Sequence, residues 1–421
     1  MNTVWRGLEG NIQGTSFGMK GSATSRTGQL QGGSMMTQRL RRETVGALRL
    51  LTIVYVALLA ASAAAFAGSE PATAAAPGTG TQACATGVDF LGFSDALDKQ
   101  TFEGTSVGGL SALAYDGRKG VYYSLVDNGP DATSEARFYT LRLPTRGGTL
   151  GEPQILDVTT LRDENGQPFT ASDFDGEGLA FTRSGDLLAS SETEPSIRRF
   201  SRDGNLIEEL PVPEKFLVAP EGQATRNQTF ESLSLSPNNR SLFTAVEGPL
   251  AADGQTAEGQ NRIRILRYED RGPGDFEPAE EYYYLTEPGQ GVVDIVALSE
   301  SELLVLERGY IPAEGNTVRV YKVSLDEADD ASGDPSLAEA GLEPLDKTLL
   351  VELADCPSGG ATTPGTQANP LLDNYESLEL GPRLPGGRRA LLLQSDDNFS
   401  TGQVTRVVAL GVENRQLRMG R

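Results

Sequence analysis

The chain has 421 residues and carries 58 acidic against 36 basic side chains, which gives a formal net charge of −22. This charge argues against nucleic acid and anionic membrane surfaces as partners. The chain also contains no histidine, which excludes Ser-His-Asp catalysis and a histidine-ligated zinc site. Any catalysis must therefore depend on carboxylates, arginine, lysine, tyrosine or a metal ion held by oxygen atoms.

The N-terminal part of the chain predicts export. Residues 1–45 are polar and show no periodicity, as in a disordered extension. Residues 46–67 contain an apolar run that follows three arginines and ends in small residues, the pattern of a signal peptide cleaved after Ala67. An uncleaved anchor helix is the alternative, because the run approaches the ~20 residues that span a bilayer. We favour cleavage, and we expect residues 68–83 to form a flexible leader.

Export gives meaning to the two cysteines of the chain, Cys84 and Cys356. The mature protein is expected in the periplasm, at the cell surface or in the medium, with no stable membrane span. Two lone cysteines in an oxidising compartment most simply pair with each other, although two free thiols are the alternative. Such a bond would hold the start of the domain beside its last repeat.

One short unit recurs five times within residues 84–412. An acidic residue leads into a short apolar strand, a polar turn follows, and a second strand ends in another acidic residue. The clearest copy runs from Phe174 to Glu192. The five copies begin at Ser111 (where serine replaces the acid), Glu177, Glu231, Asp294 and Glu376. Such a repeat indicates an architecture built from similar units.

Each copy begins a four-stranded antiparallel unit, because two further strand-like segments follow it. Residues 196–200 and 206–210 are an example. The last copy is followed by only one clear strand, 403–410, and residues 87–97 can supply the missing outer strand. The sequence therefore predicts an all-β fold: a single β-propeller of five four-stranded blades, or six if the long loops contain another, closed by an N-terminal strand. Residues 413–421 are expected to form a C-terminal tail.

The repeated acids predict a site. In a propeller, the first strand of each blade lines the central channel, which places the leading acids Glu177, Glu231, Asp294 and Glu376 at one mouth. The closing acids are expected one strand outward near the same end: Asp127, Glu192, Glu247, Glu307 and Asp396. Converging carboxylates repel one another unless protons, arginine or a hard cation neutralise them, and Ca²⁺ accepts six to eight oxygen ligands. The alternative is that each acid only accepts backbone N–H groups between strands.

Arginine side chains next to these acids are candidates for binding an anionic substrate. Arg308 directly follows Glu307, and Arg137 follows the Asp127 loop. A guanidinium group binds phosphate or carboxylate through two parallel hydrogen bonds. A salt bridge to an acid of the blade is the alternative for both.

The sequence resembles the phytase-like family of secreted proteins, labelled "esterase-like activity of phytase", from about Cys84 to Val412. The matching phrases include residues 174–181, 230–237 with Glu247-Gly248-Pro249-Leu250, and 375–380. The resemblance implies an exported β-propeller that hydrolyses phosphoester or ester bonds. It also implies calcium ions held by carboxylates and a metal-activated water, chemistry that suits a chain without histidine.

The hypothesis that follows is a secreted calcium-dependent phosphoesterase, expected to be a monomer, acting on a small anionic or ester substrate. Its predicted catalytic residues are Glu177, Glu231, Arg308 and Glu376. Its predicted calcium ligands are Asp127, Glu192, Glu247, Asp294, Glu307 and Asp396. Two alternatives remain: a non-catalytic calcium-stabilised propeller that binds a ligand or partner, and a lactonase-like propeller with one calcium in the channel.

Overall fold

The structure is a computed structural model, and it describes residues 82–127, 134–145 and 147–418. The predicted extension, the signal peptide and nearly all of the leader lie outside the described residues. Within the described ranges, no helix has the length and apolar character needed to cross a membrane. Apart from two single-turn 3-10 helices, the regular structure in these ranges consists of β-strands.

The described strands form six sheets: five correspond to the five predicted blades, and the sixth is a two-stranded hairpin. Two strands near the N-terminus belong to the last blade, and a short hairpin follows them: β1 (Gln82–Ala85), β2 (Val88–Ser94), β3 (Thr101–Phe102) and β4 (Thr105–Ser106). Blade one contains β5 (Leu110–Asp116), β6 (Val121–Val126), β7 (Arg137–Arg142) and β8 (Gln154–Thr160). Blade two contains β9 (Gly176–Phe181), β10 (Leu187–Ser191), β11 (Ser196–Phe200) and β12 (Leu206–Leu210).

The remaining blades follow in chain order. Blade three contains β13 (Ser234–Leu235), β14 (Ser241–Ala245), β15 (Arg262–Asp270) and β16 (Phe276–Leu285). Blade four contains β17 (Gly291–Ala297), β18 (Glu302–Ile311), β19 (Gly315–Ser324) and β20 (Lys347–Glu352). Blade five contains β21 (Tyr375–Leu384), β22 (Arg388–Ser395) and β23 (Val407–Glu413), and it continues through β2 to β1. The prediction of a five-bladed all-β propeller is confirmed.

The ring closes where the two ends of the chain meet. Strand β2 pairs with β23 from Val88 opposite Val412 to Ser94 opposite Val407, and β1 adds a fifth strand outside it. A disulfide joins Cys84 of β1 to Cys356, just beyond β20, and so links the outer edge of blade five to blade four. The edge strands of the closing sheet are therefore paired or covalently held, which protects them from adding a further strand.

The pattern of burial explains why these segments form blades. Inner and second strands such as β10 are buried on both faces, because each blade packs between two neighbours. The outer strand β12 instead exposes Glu208 and Glu209 to solvent. Apolar clusters fill the spaces between adjacent sheets. In one of them, Leu188 of blade two packs with Phe230 and Phe243 of blade three. The packing between blades fixes each inner strand around the central channel.

Candidate functional site

The candidate site lies at the end of the channel where each inner strand begins and each second strand ends, which we call the mouth. The same backbone hydrogen bond joins the two strands there in four blades. Its donors are the amides of Asp127, Glu192, Glu247 and Asp396, and its acceptors are the carbonyl oxygens of Gly109, Asp175, Thr229 and Asn374, at 2.7–2.9 Å. The equivalent pair in blade four is Gly291 and Arg308. Arg308 thus occupies the position that a carboxylate occupies in the other blades.

A β-bulge follows this hydrogen bond in every inner strand. The register shifts by one residue around Ser111, Val293 and Glu376. One extra residue also lies between Gly176 and Leu179 in blade two, and between Phe230 and Ser234 in blade three. Bulges redirect side chains and are frequent beside active sites. The equivalent inner positions of the five blades are therefore Ser111, Glu177, Glu231, Val293 and Glu376.

These inner and second positions bring seven carboxylates together around one arginine. We call the seven the acid ring: Asp127, Glu177, Glu192, Glu231, Glu247, Glu376 and Asp396. Asp175 adjoins it, and carboxylate oxygens of Asp127, Asp175 and Glu177 all lie within 4.8 Å of one another. This triad is a candidate metal-binding site, because three convergent carboxylates present hard oxygen donors to a cation.

The acid ring is electrostatically strained at neutral pH. Burial, together with the charges of Glu231, Asp127 and Glu192, raises the pKa of Glu177 well above its usual value. Burial also raises the pKa of Glu192 to about 7. Burial, the neighbouring carboxylates and a side-chain hydrogen bond with Glu192 raise the pKa of Glu231 well above its usual value. The ring therefore retains protons at pH values where isolated carboxylates lose them.

Arg308 is the cation that faces this cluster. Its Nη2 lies 3.2 Å from Oε1 of Glu376 and 3.4 Å from Oε1 of Glu247. Its Nε is buried and has no hydrogen-bond partner in the described ranges. Burial raises the pKa of Glu376 to about 7 although the charge of Arg308 acts in the opposite direction. One guanidinium cannot compensate seven ionised carboxylates, so protons or a bound cation must neutralise most of the others.

The fifth blade completes the mouth. Burial and the charges of Glu376 and Asp127 raise the pKa of Asp396 well above its usual value. The side-chain amide of Asn374 donates to Oε1 of Glu376 at 2.9 Å. In the adjacent blade one, Gly109 adopts a φ of +61°, and an added Cβ would lie 2.1 Å from the carbonyl oxygen of Asp127. Only glycine allows the chain to hold Asp127 in this position.

Two predicted metal ligands, Asp294 and Glu307, are not brought into the acid ring. Asp294 accepts the amides of Leu378 at 2.6 Å and Ile295 at 2.8 Å, and so ties blade four to blade five. The bulge in β17 is at Val293, one residue earlier than the leading acid. Because side chains alternate between the faces of a strand, this offset of one residue turns Asp294 away from the ring.

Glu307 has a corresponding internal role. It accepts the hydroxyl of Tyr284 at 2.5 Å, the ammonium group of Lys347 at 2.7 Å and the amide of Glu287 at 2.9 Å. Its side chain is completely buried. Because blade four is offset by one residue, Arg308 rather than Glu307 occupies the second-strand position at the mouth. Asp294 thus accepts backbone amides, whereas Glu307 accepts two side chains and one backbone amide.

Sequence reasoning missed one acid and one aromatic side chain. Asp175 lies two residues before Glu177, within the repeated motif. This acidic residue was visible in the sequence but was not among the predicted metal ligands. Tyr310 lies on the same face of β18 as Arg308, two residues beyond it, and is 64% exposed. Arg137 instead donates to the carbonyl oxygens of Ser106 and Glu135. Residues 128–133, which directly follow Asp127, lie outside the described residues.

Comparison with known proteins identifies a family. A family model described as "Phytase-like: Esterase-like activity of phytase" matches residues 105–399. No curated protein matches the chain.

Solved propeller structures are similar at low identity. The periplasmic gluconolactonase of Pseudomonas aeruginosa is 15% identical, with 73% of this chain and 86% of that chain covered and a TM-score of 0.31. The PQQ-bound aldose sugar dehydrogenase of Streptomyces coelicolor is 14% identical, with coverages of 73% and 80% and a TM-score of 0.31. The Pan2 WD40 domain of Neurospora crassa is 10% identical, with coverages of 77% and 95% and a TM-score of 0.32.

Proposed function

The chain belongs to the phytase-like family, and from this membership we propose that it is an exported, calcium-dependent hydrolase of phosphoester or ester bonds that acts at the mouth. The observation that carries the proposal is the acid ring, in which seven mostly buried carboxylates face one arginine. Buried charges of one sign are unfavourable unless a counter-ion accompanies them. A hard divalent cation is the counter-ion that suits an all-oxygen donor set.

The residues that would hold the ion follow from the geometry. Asp127, Asp175 and Glu177 offer three oxygens within 4.8 Å of one another. The negative charge of Asp127 also acts on the carboxylate of Glu192, so Glu192 lies near this triad. A bound Ca²⁺ would neutralise these carboxylates and polarise a phosphoryl or acyl oxygen. This donor set fits calcium better than a soft metal, because it contains neither sulfur nor imidazole.

The protein's own groups supply binding and proton transfer in this proposal. Arg308 presents a buried Nε–H group without a partner, and this group would donate to an anionic oxygen of the substrate. Glu376 contacts Arg308 and accepts from Asn374, so it fixes the direction of the guanidinium. Glu192, which is buried close to Asp127 of this triad, would accept a proton from an attacking water. Glu231 shares a hydrogen bond with Glu192 and would orient it.

Export is part of the proposal and has a structural correlate. The Cys84–Cys356 disulfide suits an oxidising compartment such as the periplasm or the medium. The substrate would then be a small anionic or ester molecule outside the cytoplasm.

The experiment compares hydrolysis of phytate, an aryl phosphate, an aryl acetate and a sugar lactone, each with calcium and with a chelator. We expect calcium-dependent turnover of a phosphoester or ester, and its loss in Glu177→Gln. The matched control is Glu258→Gln, which removes an exposed carboxylate that is not part of the acid ring. Lactone turnover alone would replace the proposed reaction with a lactonase. Calcium-dependent thermal stabilisation without any turnover would leave the cation site standing and refute the hydrolase.

A further inference from the structure

A second cavity lies at the opposite end of the ring, between blades one and five. It has a volume of about 630 Å³. The turn between β5 and β6, the segment after β7 and the hairpin between β21 and β22 enclose it. We call it the basal cavity. It contains none of the residues of the acid ring.

The basal cavity is positively charged in a chain of net charge −22. Its lining includes Lys119, Arg142 and Arg383, and none of its lining residues is acidic. Within the part of the chain that the structure describes, none of these three side chains forms a salt bridge. Arg142 donates to the amide oxygen of Gln154 at 3.1 Å. A concave surface with one sign of charge concentrates ligands of the opposite sign.

Two buried hydroxyl groups at the same cavity lack partners. Tyr122 and Thr145 line the cavity, and each residue is only 1% exposed. Among the residues that the structure describes, neither Tyr122 Oη nor Thr145 Oγ1 has a hydrogen-bond partner. Buried polar groups are nearly always hydrogen-bonded, because an unsatisfied one costs free energy. Burial also raises the pKa of Tyr122, so its phenol remains a donor.

We propose that the basal cavity binds a small phosphorylated molecule. Lys119 and Arg383 would neutralise the phosphate oxygens, and the guanidinium can do so through two parallel hydrogen bonds. The two hydroxyls would donate to the same oxygens after a small local adjustment. Leu143, Pro144 and Leu384 provide apolar walls for the non-ionic part of the ligand. This binding requires neither calcium nor the acid ring, and is therefore independent of the hydrolase proposal.

The first test is calorimetric titration of the full chain with inorganic pyrophosphate in excess chelator, where no cation can recruit the probe to the mouth. We expect binding that weakens about a hundredfold in a Lys119→Gln/Arg383→Gln double variant, about tenfold for each lost ionic contact. The matched control is Arg118→Gln, an exposed cation next to Lys119 that does not line the cavity. Absence of binding by the unmodified chain would refute the proposal. Binding that survives the double variant but is lost in Arg308→Met would also refute it, because the probe would then occupy the mouth.

The second test uses Tyr122→Phe and Thr145→Val, which remove the unsatisfied hydroxyls with little change of shape. We expect each variant to bind pyrophosphate about tenfold more weakly. We also expect the ligand-free variants to melt at the same temperature as the unmodified chain or higher, because a buried unsatisfied group has been removed. A lower melting temperature with unchanged pyrophosphate affinity would show that the hydroxyls serve only the fold.

Discussion

Blade four differs from the other four blades at the mouth, although all five share the same backbone pairing. Blades one, two, three and five place a carboxylate at the second-strand position, whereas blade four places Arg308 there. At the inner position, blade four has Val293 where blades two, three and five have glutamate. One sector of the mouth is therefore cationic and apolar, and the remainder is acidic.

The acidic residues of one repeated motif therefore have two different roles in this propeller. In blades two, three and five the acids face the shared hollow, where burial and mutual repulsion hold their pKa values high. In blade four, Asp294 and Glu307 face backbone amides, Tyr284 and Lys347, which satisfy them. Acids of the first kind make the ion-free fold less stable and are available for function. Acids of the second kind accept hydrogen bonds that join strands and blades, although burial also raises the pKa of Asp294 above its usual value.

Glu307→Gln and Glu231→Gln should change the stability of the chelated protein in opposite directions, and this is the largest effect that we expect. Replacing Glu307 removes the buried charge that pairs with Lys347, and should lower the free energy of unfolding by about 3–5 kcal/mol. Replacing Glu231 removes a carboxylate that repels its neighbours, and should raise the melting temperature of the chelated protein near pH ~8. Calorimetry in chelator measures both. Similar destabilisation by the two substitutions would mean that the acids of the two sectors serve the same purpose.

The fold was largely predictable from the sequence, whereas the membership of the ring was not. The recurrence of an acid, an apolar strand and a polar turn was enough to predict five blades and N-terminal closure. The offset of one residue in blade four was not predictable, because Asp294 and Glu177 precede equally apolar strands. The position of the bulge decides which residue faces the channel, and this depends on packing between blades.

Arg308→Met should reduce hydrolysis about a hundredfold, since it removes the donor to the anionic oxygen of the substrate. The same change should tighten calcium binding, because the cation no longer competes with the charge of Arg308. Steady-state kinetics and calcium titration measure the two effects separately. The control is Arg319→Met, which breaks an ion pair with Glu352 in the same blade and should leave both quantities unchanged. Weaker calcium binding in Arg308→Met would contradict the proposed division of the mouth.

Val293→Glu should convert blade four to the acidic type. A glutamate at this bulge would join the acid ring, and should destabilise the chelated protein by about 1–3 kcal/mol through burial and repulsion. Saturating calcium should recover part of this loss. Asp294→Asn is the matched control, because its side-chain oxygen can still accept from Leu378 and its charge is not part of the ring. If calcium stabilised Asp294→Asn as much as Val293→Glu, Asp294 would have to be counted among the residues that act with the acid ring.

The pH dependence of stability should report the acidic sector. Glu192 and Glu376 have folded pKa values of about 7, above the ordinary value of 4.5. Between these values the folded state binds more protons than the unfolded state, so stability decreases as pH rises from about 4.5 to about 7. The melting temperature in chelator should therefore be higher near pH 5 than near pH 8, by a few degrees. Calcium should stabilise most above pH 7, where it replaces the protons.

The smallest effect that we expect is on KM, from substitution of Tyr310. This residue lies on β18, two positions after Arg308. The β18–β19 hairpin is held by Gln367, whose side-chain oxygen accepts the amide of Asn316 at 2.8 Å, and by a hydrogen bond from Thr317 to Gln290 at 2.7 Å. A rigid hairpin can present an exposed ring to the part of a substrate that does not react. Tyr310→Ala should raise KM for aryl and sugar phosphates about fivefold, roughly 1 kcal/mol of contact, with kcat unchanged. Ile311→Ala, its exposed neighbour on the other face of the strand, should not change KM. If kcat fell instead, Tyr310 would act on the reacting group rather than on the remote part of the substrate.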